Sequence, residues 1–376
     1  FLDRALEINP ESADALAGMG LWYRNRPGGL ENELQAIEVL KQALDINPSM
    51  IDASNWLQLA YANTGRDKES MAILEDMFRR DPMYKPGTGN LVWTYASLGR
   101  FDAANRLIDQ IKPYVRDDSW VMRFEGNVLL MASQPGAAYP KLMRSFELEP
   151  QDGPAELSAI WSMLMLGMYE ELAAMEVSFP FFKLSALRRL GRTEEGLQFA
   201  RDWTNRIGDP GLLIGHYFSA RQFETLVEHV NANWPDLQML QDANTGLSGF
   251  GDNTMINLAF AYKKLGNMEK HREALSFVRA EHDKQQADGF GNAVFLHYAE
   301  ARYHFAAGDS ESGLAAYEKA LDIGGFFAPG VIRADPVFDD YLHDEQFRAL
   351  QQRGHEQFNE QRVLAGLEPI EPEYSL

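Results

Sequence analysis

Three side chains late in the sequence have the spacing of a metal site. His297, Glu300 and His304 lie three and four residues apart, so a helix would carry all three on one face. Imidazole and carboxylate groups bind zinc, and a metal-dependent hydrolase is the enzyme that such a set would serve. The three positions also coincide with helix-packing positions of an internal repeat in the chain. We therefore interpret these three residues as side chains that pack between helices, and we predict neither a metal nor a cofactor.

The other signatures of catalysis are weak. Gly249-Phe250-Gly251 is similar to a phosphate-binding loop, but no strand is predicted before it and no lysine follows at the required spacing. The sequence contains no cysteine, which excludes a thiol nucleophile, a thiolate zinc site and any disulfide. Adjacent carboxylates such as Asp339 and Asp340 point apart on a helix, because neighbours in sequence do not face each other there. We predict that the protein is not an enzyme.

The overall charge narrows the range of partners. The 376 residues include 35 basic and 55 acidic side chains, which gives a net charge of −20. Such a surface repels the phosphates of nucleic acids and anionic lipids, so we predict neither nucleic-acid binding nor membrane insertion. A protein or peptide partner, preferably basic, is the better match, and a second copy of the chain is a further option. We expect a cytoplasmic location, with the periplasm or attachment to a membrane regulator as alternatives.

An internal repeat organises the first part of the sequence. Three residue types recur 34 residues apart, at Pro48 and Pro82 (82 − 48 = 34), Gly65 and Gly99, and Tyr61 and Tyr95. Twice that spacing separates Pro82 from Pro150 and Gly99 from Gly167. A period of roughly 20 to 50 residues is typical of folds built from stacked supersecondary units.

The repeated residues mark predicted helix ends. Proline closes apolar-periodic segments such as Leu44–Pro48, because it cannot continue a helix. A glycine interrupts each unit midway, as in Leu98-Gly99-Arg100, Leu190-Gly191-Arg192 and Leu265-Gly266-Asn267. Glycine just after a helix can adopt the left-handed conformation that satisfies the last carbonyl groups. Each unit is therefore predicted to be a helix, a glycine turn, a second helix and a proline turn.

These residues resemble the tetratricopeptide repeat. The pattern of that family appears on successive first and second helices, at Leu16, Gly20, Tyr23, Ala36, Leu40, Ala43, Leu57, Tyr61, Leu74, Leu91, Tyr95, Ala104, Gly126, Ala138 and Leu142. The resemblance implies an all-α fold: a right-handed superhelical solenoid of tandem helix-turn-helix repeats with a C-terminal capping helix. It also implies a concave groove, lined by first helices, that binds a peptide or a partner helix. We predict at least five helix pairs and essentially no sheet.

The repeat pattern divides the chain unevenly. Regular repeats are predicted over residues 1–152, degenerate helical repeats over 153–250, and further repeats over 251–325. A capping segment with its helix follows at 326–366, and an acidic tail at 367–376. Because the chain opens within a second helix in this register, we expect further residues upstream.

The predicted binding site is the groove side of the first helices. Its candidate residues are polar and aromatic: Asn55, Trp93, Arg123, Asn127, Lys263, Tyr298 and Arg302. Asparagine can pair with a peptide backbone, arginine and lysine with a carboxylate, and aromatic rings offer anchoring area. The lysine and asparagine clamp that some family members use for peptide carboxyl termini is incomplete, because the first three units lack the lysine.

A non-catalytic scaffold for protein–protein interaction is the leading hypothesis. A regulatory or oligomerising C-terminal segment of a larger bacterial signalling protein is the alternative. It rests on Asp335–Leu350, which resembles the closing segment of tetratricopeptide regions in bacterial multidomain regulators such as class III adenylate cyclases and CadC-like proteins. The metal-dependent hydrolase is a minor alternative.

Overall fold

The fold is built from helices joined by short turns. A computed structural model describes the chain except for residues 27–28, 116–118, 177, 208–209, 244–253, 289–292, 326–327, 329 and 373–376. The two glycine-containing loops singled out in the sequence, 249–253 and 289–292, lie outside the described residues. The described part of the chain contains α-helices and short 3-10 segments and no strand, which confirms the all-α prediction.

The helices follow one another as antiparallel pairs. A short helix, α1 (Leu2–Ile8), precedes the first pair. The pairs are α2 (Ala13–Arg24) with α3 (Gly29–Ile46), α4 (Ile51–Asn63) with α5 (Asp67–Arg80), α6 (Lys85–Ser97) with α7 (Phe101–Ile111), α8 (Ser119–Met131) with α9 (Pro135–Leu148), α10 (Gly153–Met165) with α11 (Tyr169–Ala174), α12 (Pro180–Arg189) with α13 (Thr193–Ile207), α14 (Leu212–Ser219) with α15 (Phe223–Asn233), α17 (Thr254–Lys264) with α18 (Met268–Asp288), and α19 (Ala293–Ala307) with α20 (Ser310–Asp322). An additional helix, α16 (Leu237–Ala243), lies between two pairs. The pairs exceed the predicted minimum of five.

The turns inside the pairs have the conformation that the glycines indicate. Gly99 has φ of +69° and Gly191 has φ of +71°, both in the left-handed region. The amide of Arg100 closes the end of α6 by donating to the Tyr95 carbonyl over 2.8 Å. Ser133 and Arg221 adopt the same conformation, with φ of 57° and 58°, at the equivalent turns of two pairs that lack the glycine. The turn geometry therefore persists where the sequence motif is lost.

The close approach of paired helices depends on small residues. A methyl group on Gly20 of α2 would overlap Leu40 of α3, and a methyl group on Gly126 of α8 would overlap Leu142 of α9. Leu40 and Leu142 are fully buried. Glycine on one helix and leucine on the other thus interlock at the same place in two different repeats, as the repeat pattern predicts.

The first helices form one curved layer. From α6 onwards each first helix contacts the next first helix, through α8, α10, α12, α14 and α17 to α19. Trp161 of α10 stacks on Phe295 of α19, with ring centroids 6.3 Å apart and an interplanar angle of 26°. Because three first helices separate α10 from α19 along the layer, this contact requires the layer to bend back on itself. The chain is a solenoid of tetratricopeptide-like hairpins whose first helices face the interior.

The residues after the last pair run back along the solenoid. We call residues 330–372 the C-terminal strap; it contains α21 (Val331–Ala334), a 3-10 segment (Pro336–Tyr341) and α22 (Glu345–Leu364). Asp344 caps α22 by accepting a hydrogen bond from the amide of Phe347 over 2.9 Å. The predicted C-terminal helix is present, and it packs on α20 and also on the distant α9.

The strap donates hydrogen bonds to carbonyl groups at the ends of first helices. Arg333 donates to the Arg189 carbonyl at the end of α12, and Arg362 donates to the Leu166 carbonyl at the end of α10. The Tyr341 hydroxyl donates to the Phe305 carbonyl of α19 over 3.2 Å. The last carbonyls of a helix have no partner within it, and they carry partial negative charge. Side chains of the strap thus complete helix ends in three different repeats.

Candidate interaction site on the inner face

A cavity of about 180 Å³ lies on the inner face, between α10, α12, α14, α19 and the strap. Most of its lining is apolar, and its aromatic members are Trp161, Phe181, Phe182, Phe218, Phe295 and Tyr298. These rings come from four first helices, which only the curvature of the layer brings together. A concave apolar site with a few polar groups at its border is the usual form of a ligand-binding pocket.

Three aromatic residues extend from this cavity along the inner face. The ring of Trp93 on α6 lies 5.4 Å from that of Trp161, which in turn stacks on Phe295. Trp93 and Phe295 are half-buried, whereas Trp161 is 7% exposed. Half-buried aromatic side chains next to a concave surface offer large contact area at low entropic cost to a partner.

A buried ion pair borders the cavity on the strap side. Arg302 of α19 is 3% exposed, and its Nε donates to Asp335 Oδ2 over 2.6 Å. Its Nη2 donates to Asn257 Oδ1 of α17 over 2.8 Å. Asp335 also accepts from the amide of Val337 over 3.2 Å, which starts the 3-10 segment. One guanidinium therefore joins two first helices to the strap.

Two arginines of α12 line the other side. Arg188 donates to Ser185 Oγ over 3.0 Å and lies 6.0 Å from the centre of the Phe181 ring. Arg189 donates to the Leu164 carbonyl over 3.3 Å, and its guanidinium lies 5.4 Å from the centre of the Tyr169 ring. Cationic groups thus border an apolar cavity in a protein whose net charge is negative.

The groove residues predicted in the N-terminal half lie on first helices and are mostly buried. Asn55 on α4 accepts from Asn90 of α6 over 3.0 Å and links two repeats. Arg123 on α8 lies 3.7 Å from Asp152, and burial lowers the pKa of its guanidinium. Oδ1 of Asn127, one turn further, has no hydrogen-bond partner among the described residues. Their role in binding stays a prediction.

The other predicted groove residues lie closer to the cavity. Tyr298 and Arg302 line it directly, and Trp93 is connected to it through Trp161. Lys263 lies apart, at the end of α17, where its Nζ donates to the Ala306 carbonyl over 3.1 Å and burial lowers its pKa. The structure thus brings three of the seven predicted residues to one place.

The candidate metal ligands separate into two pairs. Nδ1 of His297 lies 3.1 Å from Glu300 Oε2, whereas Nδ1 of His304 faces Asp309 Oδ2 at 3.5 Å. Within the described residues, no group of three or more histidine, aspartate or glutamate side chains is placed to hold a metal ion. In the same residues no helix is both long enough and apolar enough to cross a bilayer.

Several residues of the cavity were absent from the sequence prediction. Trp161 follows Trp93 by twice the repeat period (161 − 93 = 68), so the period itself could have identified it. Phe181 and Phe182 lie where the pattern is degenerate, and Asp335 lies in the strap, where no repeat register applies. Their place at the cavity depends on tertiary curvature, which no local pattern encodes.

Fold and site together define a class: a tetratricopeptide-type α-solenoid with an aromatic cavity on its inner face. Among known proteins, the chain is similar to the TPR repeat-containing protein YpiA of Bacillus subtilis (strain 168), with 22% identity over 309 residues. That alignment covers 82% of this chain, and the chain spans 62% of the length of this curated relative. The similarity supports the assignment of tetratricopeptide repeats. No protein-family model matches the chain.

Solved structures with related architecture are distant. The Cut9–Hcn1 hetero-tetramer of the APC/C has 15% identity and a TM-score of 0.46, covering 94% of this chain and 80% of that one. Human IFIT1, solved as a dimer with PPP-AAAA, has 14% identity and a TM-score of 0.42, covering 89% and 84%. Yeast Tom70 has 10% identity and a TM-score of 0.29, covering 94% and 88%. The assignment of the fold rests on the hairpins themselves.

Proposed function

We propose that this chain is a non-catalytic scaffold that binds another protein through the inner face of its solenoid. The observation that carries the proposal is the aromatic cavity, to which α10, α12, α14 and α19 all contribute. An apolar side chain of the partner enters the cavity and contacts Phe295 and Tyr298. Trp93 extends the contact along the groove. Buried aromatic anchors in a pocket supply most of the affinity in typical interfaces.

The charge of the protein supports a basic partner. A net charge of −20 attracts positively charged segments over roughly 8 to 10 Å at moderate ionic strength, and it repels acidic ones. Attraction of this kind accelerates encounter, whereas the cavity determines how long the complex lasts. The partner is therefore a segment whose apolar anchor residue enters the cavity and whose basic residues lie outside it, away from Arg188 and Arg189 at its border.

The test uses peptides selected from a random display library against the whole chain. Their affinity is then measured by calorimetry for the wild type and for Phe295→Ala, with Trp22→Ala as the control because Trp22 is 45% exposed on α2, away from the cavity. We expect Phe295→Ala to weaken binding by roughly tenfold or more, as for an interface hot spot, and Trp22→Ala to leave it unchanged. Peptides that bind both variants as tightly as the wild type would show that the cavity is not the binding site.

The regulatory or oligomerising segment of a larger signalling protein is the second candidate. It is supported by the resemblance of Asp335–Leu350 to closing segments of bacterial regulators. The coding sequence upstream of Phe1 tests it: an output domain in the same reading frame supports this candidate, and an immediate start codon contradicts it.

A further inference from the structure

A second cavity lies beside the aromatic one, at the edge where the turns of the pairs meet the strap. Its volume is about 190 Å³, and its lining includes Arg188, His216, Arg221 and Arg333 together with Thr193 and Ser219. Arg188 and Ser219 also line the aromatic cavity, so the two spaces are neighbours with a shared wall. One is apolar and the other is lined by cationic and hydrogen-bonding groups.

His216 of α14 lines this second cavity, and its two ring nitrogens are buried without hydrogen-bond partners among the described residues. Its side chain is 2% exposed. Neither Nδ1 nor Nε2 makes a hydrogen bond of ordinary geometry among the described residues. The backbone of Thr193 lies near the ring and raises its pKa, against the larger effects of burial and Arg188. Buried polar atoms in native proteins nearly always have partners, and a buried polar atom without one destabilises the fold. A ligand that accepts a hydrogen bond would satisfy this ring.

The charges around His216 favour an anion. Burial is the largest cause that lowers its pKa to about 4, and the positive charge of Arg188 on α12 is the next; Arg201 on α13 acts in the same direction. Arg221, at the turn after α14, forms an ion pair with Asp339 of the strap at 2.5 Å, so its charge is largely offset. Arg333 of the strap donates to the Arg189 carbonyl. The ring is therefore neutral at pH 7 and lies in a positive potential.

We propose that the two cavities form one binding site for a small aromatic carboxylate. The ring of the ligand occupies the aromatic cavity, between Phe181 and Phe295. The carboxylate reaches the second cavity, where one oxygen accepts from the guanidinium of Arg188 and the other from an N–H of His216. An engineered protein cavity of roughly 150 Å³ binds benzene, so about 180 Å³ holds a single ring with a short linker.

This site is a small-molecule site, and it does not depend on the proposed function. It shares the aromatic cavity with the proposed anchor position, so ligand and partner would compete for it. The measurement described next contains no protein partner. Its failure therefore leaves the scaffold proposal intact, and failure of the peptide test leaves this inference intact.

The test is calorimetric titration of the whole chain with 3-phenylpropionate at pH 7. Three related probes separate the parts of the ligand: 3-phenylpropanol lacks the charge, propionate lacks the ring, and phenyl phosphate carries a different anion. We expect 3-phenylpropionate to bind at least tenfold more tightly than each of these probes. No binding, equal binding of the alcohol, or tighter binding of phenyl phosphate would overturn the inference.

Variants locate the carboxylate. We expect Arg188→Gln to weaken binding of 3-phenylpropionate at least tenfold, and Arg79→Gln, an exposed arginine of α5 outside both cavities, to change it less than twofold. Thermal unfolding of both variants verifies that they are folded. If both variants lose affinity equally, the loss reflects the overall charge of the protein, and the assignment of the ligand's carboxylate to Arg188 is wrong.

Proton uptake provides a readout that a merely structural histidine would not produce. A bound carboxylate stabilises the imidazolium form, so the pKa of His216 rises on binding and a fraction of a proton is taken up. We expect affinity to increase as the pH falls from 7 towards 5, and His216→Asn to abolish the proton uptake seen in buffers of different ionisation enthalpy. Proton uptake that persists in His216→Asn would exclude this residue from the site.

Discussion

At the residue scale, the buried contact between Arg302 and Asp335 offers the sharpest comparison. Both side chains are nearly inaccessible, at 4% and 11% exposed, and the atoms are 2.6 Å apart. The pair between Arg353 and Asp322 has the same 2.6 Å distance but side chains that are 40% and 57% exposed. The two pairs have the same distance, and they differ in burial and in the further hydrogen bond that Asp335 accepts from the Val337 amide. Removing one partner of a buried pair leaves an uncompensated charge, whereas an exposed pair contributes little.

We therefore expect Asp335→Ala to lower the free energy of unfolding by about 3–5 kcal/mol and Asp322→Ala by about 1 kcal/mol or less. Urea denaturation of both variants, followed by circular dichroism, measures the difference. Equal losses in the two variants would mean that the guanidinium of Arg302 is rehydrated when Asp335 is absent.

His216 makes stability depend on pH. Its pKa is about 4 in the folded chain, because of burial first and of Arg188 second, against 6.5 in the unfolded chain. Between these values the unfolded state binds the proton and the folded state does not, so stability is present above pH 6.5 and is lost as the pH falls towards 4. The loss amounts to roughly 2–3 kcal/mol over this interval.

We expect His216→Gln to flatten this dependence between pH 7 and pH 5, when urea midpoints are compared at the two values. His343→Gln serves as the control, since His343 is exposed. A wild-type and a His216→Gln profile with the same slope would assign the acid sensitivity to other groups.

The residues that line the cavity were predictable from the sequence only where the repeat register applied. Tyr298 and Arg302, which the register assigned to a first helix, lie on α19 and line the cavity, whereas their role in binding stays a prediction. The register does not reveal that Asp335 contacts Arg302, because the two residues are 33 positions apart and the last helix pair ends between them. Long-range partners in a solenoid follow from accumulated curvature, to which every repeat contributes a small rotation.

At the element scale, the pairing of helices depends on the glycine and leucine contact between α8 and α9. A methyl group on Gly126 would overlap Leu142, whereas Gly153, at the start of α10, has open space around it. We expect Gly126→Ala to destabilise the chain by about 1–3 kcal/mol through overpacking, and Gly153→Ala to be neutral or slightly stabilising. Thermal unfolding of the two variants measures both effects. A neutral Gly126→Ala would show that α8 and α9 can separate without loss.

The helix pairs themselves were predictable because their determinants are local. Glycine at the turn and proline after the second helix act through the backbone of a few residues, and each was read from the 34-residue period. Ser133 and Arg221 show the limit of that reading, since they form the same left-handed turn without glycine. There the packing of neighbouring pairs imposes the conformation, at a cost of roughly 1–2 kcal/mol for a residue with a side chain.

At the scale of the whole molecule, this solenoid contains contacts between distant repeats. In most solenoids each repeat contacts only its neighbours. Lys284 of α18 donates to the Gly65 carbonyl over 3.0 Å, although the two residues are 219 positions apart in the sequence. The strap adds further bonds to the ends of α10 and α12. A repeat array with only neighbour contacts unfolds piece by piece, so these distant bonds should couple the stability of the central repeats to docking of the strap.

That coupling is tested by releasing the strap at two points. Arg333 binds the Arg189 carbonyl and Arg362 binds the Leu166 carbonyl, so the double variant Arg333→Ala/Arg362→Ala removes both connections without changing any first helix. We expect amide hydrogen exchange at the ends of α10 and α12 to become at least tenfold faster, because their last turns lose the groups that hold them to the strap. Arg144→Ala, which breaks an exposed pair with Glu147 on α9, is the control and should leave those amides unchanged. If exchange in the double variant stays at the wild-type rate, the curvature of the inner face is set by the repeats alone, and the strap only follows it.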